Sequence, residues 1–343
     1  MEDTTASRET ITTQGVDETE GWSLGQMVAM TIVISIMIGI NVVGNCCTII
    51  AFRSDAKLRT FSNFYIFNLA VTDLFIGFVS LPFYTAYTLM NYTWPFGRVF
   101  CKIYNLFDYL VCVESSFTIL CISVDRLLMV KLGPGLYQRM VTKRRTLLLI
   151  ATTWLISAVL YGPAIVAFDI WRGYSIVPEN DCFVEFLDHF KFTAITSIFD
   201  FFTPSIAIVL SNVLLYLDIR RRSRSTQQVD QGCLKRDLKA AKNLALLVAL
   251  FLMCWAPYTT CALLQTICSS CVNADLFNFF VWLLWMNSSI NPIVYAASNP
   301  RFRSHYYRLL CSKKAQRIGP SESTLNTINS QSTNLSRNNI GGH

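Results

Sequence analysis

Seven long apolar runs alternate with polar segments along the chain. The runs cover residues 27–52, 61–91, 103–124, 146–168, 192–217, 244–266 and 276–298. Each run exceeds the roughly 20 residues that an α-helix needs to cross the hydrocarbon core of a bilayer. The pattern predicts an all-α membrane protein in which residues 27–298 form a bundle of seven transmembrane helices.

The segments that flank the predicted bundle differ from it and from each other. Residues 1–26 are an acidic tail, and the apolar run that follows is longer than the roughly 7–15-residue core of a signal peptide, which argues against a cleaved signal peptide. Residues 299–312 place Phe302 and Tyr306 opposite Arg301 and Arg303, which predicts a short amphipathic helix on the membrane surface. Residues 313–343 are rich in Ser, Thr and Asn and are expected to be a disordered tail that can be phosphorylated.

The basic residues lie mainly in alternate polar segments. Residues 53–60, 125–145, 218–243 and 299–343 hold 24 of the 29 Lys and Arg residues. Because basic loops stay on the cytoplasmic side, the chain is expected to be a multi-pass plasma-membrane protein with an extracellular N-terminus. The net charge of +7 then reports topology and does not indicate a nucleic-acid partner.

Four of the 12 cysteines fall outside the cell in this topology, where disulfides form. We expect the pairs Cys101–Cys182 and Cys268–Cys271, although the sequence leaves other pairings open. A zinc or thioredoxin site at the second pair would need a second CxxC or a nearby His, and neither is present. Cys311, which follows the amphipathic segment, is a candidate for palmitoylation.

Four carboxylates lie within the apolar runs, where each costs on the order of 3 kcal/mol to insert. They are Asp73, Asp108, Glu114 and Asp200. Such residues usually mark functional sites, although a protonated acid bonded between helices is the alternative. Glu114 is offset by about 100° from Ser115 around the helix and is expected to face a neighbouring span.

Asp108 follows Cys101 by two helical turns, on nearly the same face and about 10 Å deeper. A disulfide to Cys182 would draw the second outer loop over a cavity that has Asp108 on its wall. Asp200 lies four residues before Pro204, whose ring opens the helix at that point. Two acids on opposite walls of one cavity would suit a dibasic ligand.

Aromatic residues of the sixth and seventh runs are expected to close the cavity, since aromatic faces attract ammonium groups. Interfacial anchoring is the alternative for the tryptophans. The predicted ligand-binding set is Asp108, Tyr109, Cys112, Thr196, Asp200, Trp255, Tyr258, Thr259, Trp282 and Trp285.

Short motifs occur once per run and in a fixed order. They are Gly44-Asn45, Leu69-Ala70-Val71-Thr72-Asp73, Asp125-Arg126-Leu127, Trp154, Pro204, Cys254-Trp255-Ala256-Pro257-Tyr258 and Asn291-Pro292-Ile293-Val294-Tyr295. This set resembles the rhodopsin-like (class A) G-protein-coupled receptors of the aminergic group. Trp94-Pro95-Phe96-Gly97-Arg98 and Phe201-Phe202-Thr203-Pro204 are most similar to the third and fourth histamine receptor subtypes.

The resemblance implies a ligand and an ion. Asp108 would pair with the ammonium group of a small cationic amine, most simply histamine, and Asp200 would accept a hydrogen bond from the imidazole. Those histamine subtypes have a glutamate at the position of Asp200, so the carboxylate here reaches one methylene less far. A sodium ion would be the only cofactor-like ligand, held by Asp73, Ser115, Asn287 and Asn291.

The resemblance also implies a heterotrimeric G protein, of the inhibitory Gi/o class by first choice, with arrestin and receptor kinases as further partners. The activation switch would comprise Asp125, Arg126, Asp237, Phe251 and Tyr295, with an Arg126–Asp237 pair bridging two spans in the resting state. The third inner loop is far shorter than in the histamine subtypes named, which weakens the carry-over of the Gi/o class.

Other readings fit the sequence less well. A receptor for acetylcholine or another monoamine needs no acid at Asp200 and is the nearest alternative. A cation-coupled transporter usually has inverted repeats, which are not evident here. A retinal protein needs a lysine within a span, and none of the seven runs contains one. No P-loop, zinc signature or catalytic triad indicates an enzyme. Asn91 begins the one outward glycosylation sequon, and membrane lipid is the remaining expected partner.

Overall fold

The computed structural model describes residues 22–225, 231–268 and 270–311. Over these residues the chain forms seven long helices and one short helix, and each long helix contains most of one apolar run. The predicted all-α bundle with a short eighth helix is thereby confirmed. The N-terminal tail up to residue 21 and the segment 313–343 lie outside the described residues.

Two of the long helices are interrupted by a π-helical turn. The helices are α1 (Leu24–Ser54), α2 (Phe61–Phe75, a π-turn at Ile76–Ser80, and Leu81–Leu89), α3 (Gly97–Met140), α4 (Lys143–Arg172), α5 (Phe190–Ser197, a π-turn at Ile198–Phe202, and Thr203–Ser225), α6 (Gln231–Ile267), α7 (Ala274–Ser298) and α8 (Pro300–Leu310). Six of them, α1 to α6, are long and apolar enough to cross a membrane. Helix α7 is less apolar because Asn287, Ser288, Ser289 and Asn291 cluster in its second half.

The bundle turns apolar side chains outward and many polar ones inward. Leu155 and Val159 of α4 are each 64% exposed, whereas Asn45, Asp73 and Glu114 are fully buried. A soluble protein would not expose so much apolar surface, but hydrocarbon solvates it at no cost. The distribution is that of a membrane-embedded bundle with a polar interior.

Each π-turn is centred four residues before a proline. Phe78 precedes Pro82, and Asp200 precedes Pro204. A proline ring displaces the carbonyl four residues back, so the helix widens there. The carbonyl of Asp200 accepts a hydrogen bond from Ser116 Oγ at 2.9 Å. The opening of α5 agrees with the sequence-based expectation, whereas the opening of α2 was not anticipated although Pro82 signals it.

Helix α8 packs across the end of α1. Phe302 is fully buried in a cluster with Ala51 and Leu58. His305 Nε2 lies 3.4 Å from Asp55 Oδ2, and the backbone N–H of Lys57 donates to Asp55 Oδ1 at 2.8 Å. These contacts, the backbone hydrogen bond above all, hold the pKa of Asp55 below its ordinary value. The polar side of α8 is thus tied to the C-terminus of α1.

Helices α1 and α7 approach most closely at Gly44. A Cβ atom placed on Gly44 would lie 2.7 Å from Pro292 Cβ, which is closer than packed carbon atoms tolerate. One helical position along, Asn45 Nδ2 donates to the carbonyl of Ser288 at 3.2 Å. The absence of a side chain at Gly44 therefore allows α1 to reach the backbone of α7.

Replacing Gly44 with Ala should lower the free energy of unfolding by about 1–3 kcal/mol, because the new methyl group overlaps with Pro292. The measurement is the thermal unfolding midpoint of the purified protein in detergent. Gly39→Ala is the matched control, since a Cβ atom there meets nothing within 4 Å. Equal midpoints for the two variants would contradict the close-approach argument.

Candidate ligand-binding site

A cavity of about 160 Å³ opens among the helices at the end of the bundle where α1 begins, hereafter the N-terminal end. Helices α2, α3, α6 and α7 form its walls, together with the loop that follows α4. Of the ten predicted ligand residues, the cavity is lined by Asp108, Tyr109, Tyr258 and Trp285. Further lining residues that the sequence did not indicate are Tyr84, Tyr87, Trp94, Tyr104, Asn105, Phe277 and Asn278.

Asp108 supplies a carboxylate to the cavity. Trp285 Nε1 donates a hydrogen bond to Asp108 Oδ1 at 3.0 Å, and Cys112 Sγ approaches the same oxygen to 3.9 Å. Within the described part of the chain no Lys, Arg or His side chain forms an ion pair with Asp108. The site therefore combines an acid without a protein cation and a wall of aromatic rings.

The second predicted acid, Asp200, does not line this cavity. Tyr161 donates a hydrogen bond to Asp200 Oδ2 at 2.6 Å, while Oδ1 is buried without a partner. The ring of Tyr161 packs 4.9 Å from the ring of Tyr109, and Phe186 packs against both. These three rings, the aromatic partition, separate Asp200 from the cavity that contains Asp108.

Five other predicted ligand residues also lie off the cavity lining. Trp255 is buried deeper and packs 5.4 Å from Phe251. The hydroxyls of Thr196 and Thr259 donate to backbone carbonyls of their own helices, at 3.0 and 3.2 Å. Cys112 is buried one turn below Asp108, and Trp282 packs behind Trp285 at 5.6 Å.

The loop after α4 is fastened over the cavity. Cys101 and Cys182 are joined in a disulfide, with Cα atoms 5.6 Å apart, and Asn105 Nδ2 lies 3.3 Å from both sulfurs. Two ion pairs reinforce this end of α3: Lys102 with Asp169 at 2.7 Å, and Arg98 with Glu185 at 3.1 Å. The Cys268–Cys271 disulfide is also present, between α6 and α7.

The four predicted sodium ligands are all buried, on α2 (Asp73), α3 (Ser115) and α7 (Asn287 and Asn291). Asn291 Nδ2 donates to Asp73 Oδ2 at 2.8 Å. Each of the four residues has one buried oxygen atom without a hydrogen-bond partner: Asp73 Oδ1, Ser115 Oγ, Asn287 Oδ1 and Asn291 Oδ1. Unpaired buried oxygens need an explanation in a folded protein. One carboxylate and neutral oxygens are a donor set that suits a hard monovalent cation, so these residues fit a sodium ion.

Glu114, which had no sequence-based role beyond facing a neighbouring span, joins three helices. Its Oε1 accepts hydrogen bonds from Asn68 at 2.8 Å, Thr153 at 2.9 Å and Thr118 at 3.3 Å. Asn68 also accepts a hydrogen bond from the indole of Trp154 at 3.0 Å. The acid is fully buried between α2, α3 and α4, and its contacts are structural ones away from the cavity.

The ion pairs of the described residues do not include Arg126 with Asp237, so the pair stays a prediction for the resting state. An exposed pair is worth only about 0–1 kcal/mol, so little free energy favours its formation. Asp125 is instead bonded to the hydroxyls of Ser62 and Tyr137, the latter at 2.7 Å.

The remaining predicted residues lie at the edges of the bundle or in its core. Asn91 is exposed in the turn after α2, with a φ of 50°. Cys311 is an exposed free cysteine at the end of α8. Phe251 and Tyr295 are buried, Tyr295 with its ring 6.4 Å from Phe302.

The family model for the 7 transmembrane receptor (rhodopsin family) matches residues 44–295, and the chain belongs to this family. The human histamine H2 receptor is 29% identical over 318 residues, which cover 90% of this chain and 86% of that receptor. The octopamine receptor beta-1R of Drosophila melanogaster is 26% identical over 86% of this chain and 64% of its own length. The human histamine H4 receptor is 24% identical over 85% of this chain and 94% of its own length.

These relatives confirm the expected resemblance to aminergic receptors. They are receptors and not enzymes, in agreement with the sequence-based expectation. Their identities are similar across receptors named for histamine and octopamine, so the comparisons establish the family and leave the particular amine to the chemistry of the site.

Proposed function

We propose that this chain is a receptor for a small biogenic amine, with histamine the first candidate, and that it signals to a heterotrimeric G protein of the Gi/o class. The observation that carries the proposal is Asp108, a carboxylate without a protein cation on the wall of an aromatic cavity. An ammonium group bound there gains a charge-assisted hydrogen bond and contacts with the faces of Tyr84 and Tyr104.

The indole of Trp285 links ligand binding at Asp108 to the arrangement of the helices. Its N–H donates a hydrogen bond to Asp108 Oδ1. A bound ammonium group would either share this oxygen with the indole or take its place as the donor. Because Trp285 lies on α7 and Asp108 on α3, ligand binding alters a contact between two helices. A ligand that binds one arrangement of these helices more tightly shifts the receptor toward that arrangement.

The proposed orientation puts the N-terminal end of the bundle outside the cell, in the plasma membrane. The excess of basic residues in the opposite segments supports this orientation. The cavity would then open to extracellular ligand, Asn91 would be available for glycosylation, and Cys311 would meet the inner leaflet for palmitoylation. Asp125, Arg126, Asp237 and Tyr295 would lie toward the side that meets the G protein, arrestin and receptor kinases.

Asp200 is proposed as the second anchor, for the imidazole of histamine. This role requires the aromatic partition to rearrange, because Tyr161 now occupies one carboxylate oxygen. The same observation favours the second candidate function, a receptor for acetylcholine or another monoamine. In the arrangement described, the cavity presents one acid and suits a ligand with one cationic group.

A sodium ion at Asp73 is proposed as a regulator of ligand binding. The partnerless oxygens of Ser115, Asn287 and Asn291 would complete its coordination. The ion would supply positive charge that offsets the buried carboxylate and holds α2, α3 and α7 together. Agonists that favour a different helix arrangement would then compete with sodium through the protein.

Asp108→Asn should reduce the potency of the activating amine by about 10- to 100-fold, because a hydrogen bond to a charged group is replaced by a neutral one. The measurement is G-protein activation by histamine, acetylcholine, dopamine and serotonin, with cyclic AMP followed to distinguish inhibitory from stimulatory coupling. Asp188→Asn, an exposed acid of the loop after α4, is the control. Full retention of the amine response in Asp108→Asn would refute the site.

Asp200→Ala should lower histamine potency by about tenfold and leave acetylcholine potency unchanged, since histamine has an imidazole N–H to donate to that acid and the ester of acetylcholine can only accept. Tyr161→Phe should raise histamine potency, because it frees Asp200 Oδ2. Concentration–response curves for both ligands on both variants test this. Unchanged histamine potency in Asp200→Ala would leave the monoamine alternative as the better function.

Asp73→Asn should abolish the effect of sodium on agonist affinity. Agonist competition binding is measured in sodium chloride and in N-methylglucamine chloride at equal ionic strength, so that charge screening is the same. The wild type is expected to bind agonist more weakly in sodium. An equal sodium effect in the wild type and in Asp73→Asn would contradict a site at Asp73.

A further inference from the structure

A second cavity of about 540 Å³ lies between α1 and α7 at the N-terminal end, on the outer side of the bundle. We refer to it as the α1/α7 groove. Its sides are formed by Met30, Val33 and Met37 of α1 and by Phe279, Trp282 and Met286 of α7. Val33 is 65% exposed and Phe279 is 58% exposed, so the groove faces the surroundings of the bundle and not its interior.

A single layer of side chains divides the α1/α7 groove from the ligand cavity. Asn278 lines both spaces. Tyr84, on the cavity side, donates a hydrogen bond to Asn278 Oδ1 at 2.7 Å, and its ring packs edge-on against Trp282 at 5.2 Å. The same ring lies 4.9 Å from Trp285, the residue whose indole bonds Asp108. Trp285, Tyr84 and Trp282 therefore form a continuous row of side chains from Asp108 to the groove.

We propose that the α1/α7 groove binds the apolar tail of an elongated amine whose ammonium group is held by Asp108. The inference rests on the proposed function, since it assigns the ammonium group to the same carboxylate. Rotation of the Tyr84 side chain would break its hydrogen bond to Asn278 and its edge-on contacts with Trp282 and Trp285, and would join the two spaces into one channel.

The chemistry of the two spaces matches the two ends of such a ligand. The ligand cavity is small and contains the acid, so it accommodates a compact cationic head. The α1/α7 groove is larger, and its lining side chains are apolar apart from Thr88, Tyr92, Asp275, Asn278 and the indole N–H groups of Trp22 and Trp282. Methionine side chains adapt to chains of different shape, and Met30, Met37 and Met286 contribute to both walls. Continuity through Asn278 favours the tail of a cavity ligand over an independent lipid chain as the occupant.

The test uses histamine and a series of N-alkyl histamines from ethyl to octyl, each measured by competition binding. In the wild type, affinity should rise by about fourfold for each methylene that enters the groove and then level off. Val33→Trp fills the groove and should reduce the affinity of the octyl compound by about tenfold or more. Its effect on histamine itself should be small, because Val33 does not line the cavity.

Ile32→Trp is the matched control. Ile32 is the neighbouring residue at the same depth and is 55% exposed, but it does not line the groove. This variant adds the same indole to the same helix and should leave the whole series unchanged. Equal behaviour of Val33→Trp and Ile32→Trp, or a wild-type series without any gain from the tail, would overturn the proposal.

Two further outcomes separate the proposal from its alternatives. A flat alkyl series, together with a co-purifying lipid that Val33→Trp but not Ile32→Trp displaces in native mass spectrometry, would assign the groove to a membrane lipid and overturn the proposal. If histamine binding survives Asp108→Asn, the proposed function fails first and the groove proposal fails with it. If histamine binding depends on Asp108 but the tail adds nothing, only the groove proposal fails.

Discussion

The low polarity of hydrocarbon is the constraint on which this structure depends. A carboxylate inside the bundle must find donors or a cation there, because hydrocarbon supplies neither. The four acids within the bundle meet this requirement to different extents. Glu114 accepts three side-chain hydrogen bonds, and Asp200 accepts one from Tyr161. Asp73 has one amide donor among oxygens without partners, and Asp108 has an indole. A cation would therefore contribute least at Glu114, and more at the three acids that have a single N–H or O–H donor.

Prolines determine where two of the helices are irregular. In α2 and α5 a proline widens the helix into a π-turn, and in α5 this turn carries Asp200. The displaced carbonyl of Asp200 is bonded to Ser116 of α3, so the irregular backbone is satisfied by a neighbouring helix and not by solvent. This arrangement makes the position of Asp200 depend on three helices together: its own, α3 through Ser116, and α4 through Tyr161.

The helices could be predicted from the sequence because a membrane admits few alternatives to long apolar helices. The family, the disulfide partners and the approach of α1 to α7 at Gly44 also left sequence signals. The sequence did not indicate which residues line the cavity. Asp200 lies at the expected position along α5. The direction of its side chain, however, is set by the hydrogen bond from Tyr161, which is 39 residues away in the chain. Tyr84 and Asn278 carry no motif, and helical periodicity alone could not distinguish Trp285, which lines the cavity, from Trp282, which lies behind it.

The backbone at Gly133 has a consequence for the other end of the bundle. Its φ of 69° breaks α3 and turns the chain, so that Tyr137 returns to bond Asp125. The segment after the break is therefore anchored to the last turn of the span it has just left. The hydrogen bond from Tyr137 therefore couples the position of this short helical segment to the position of Asp125.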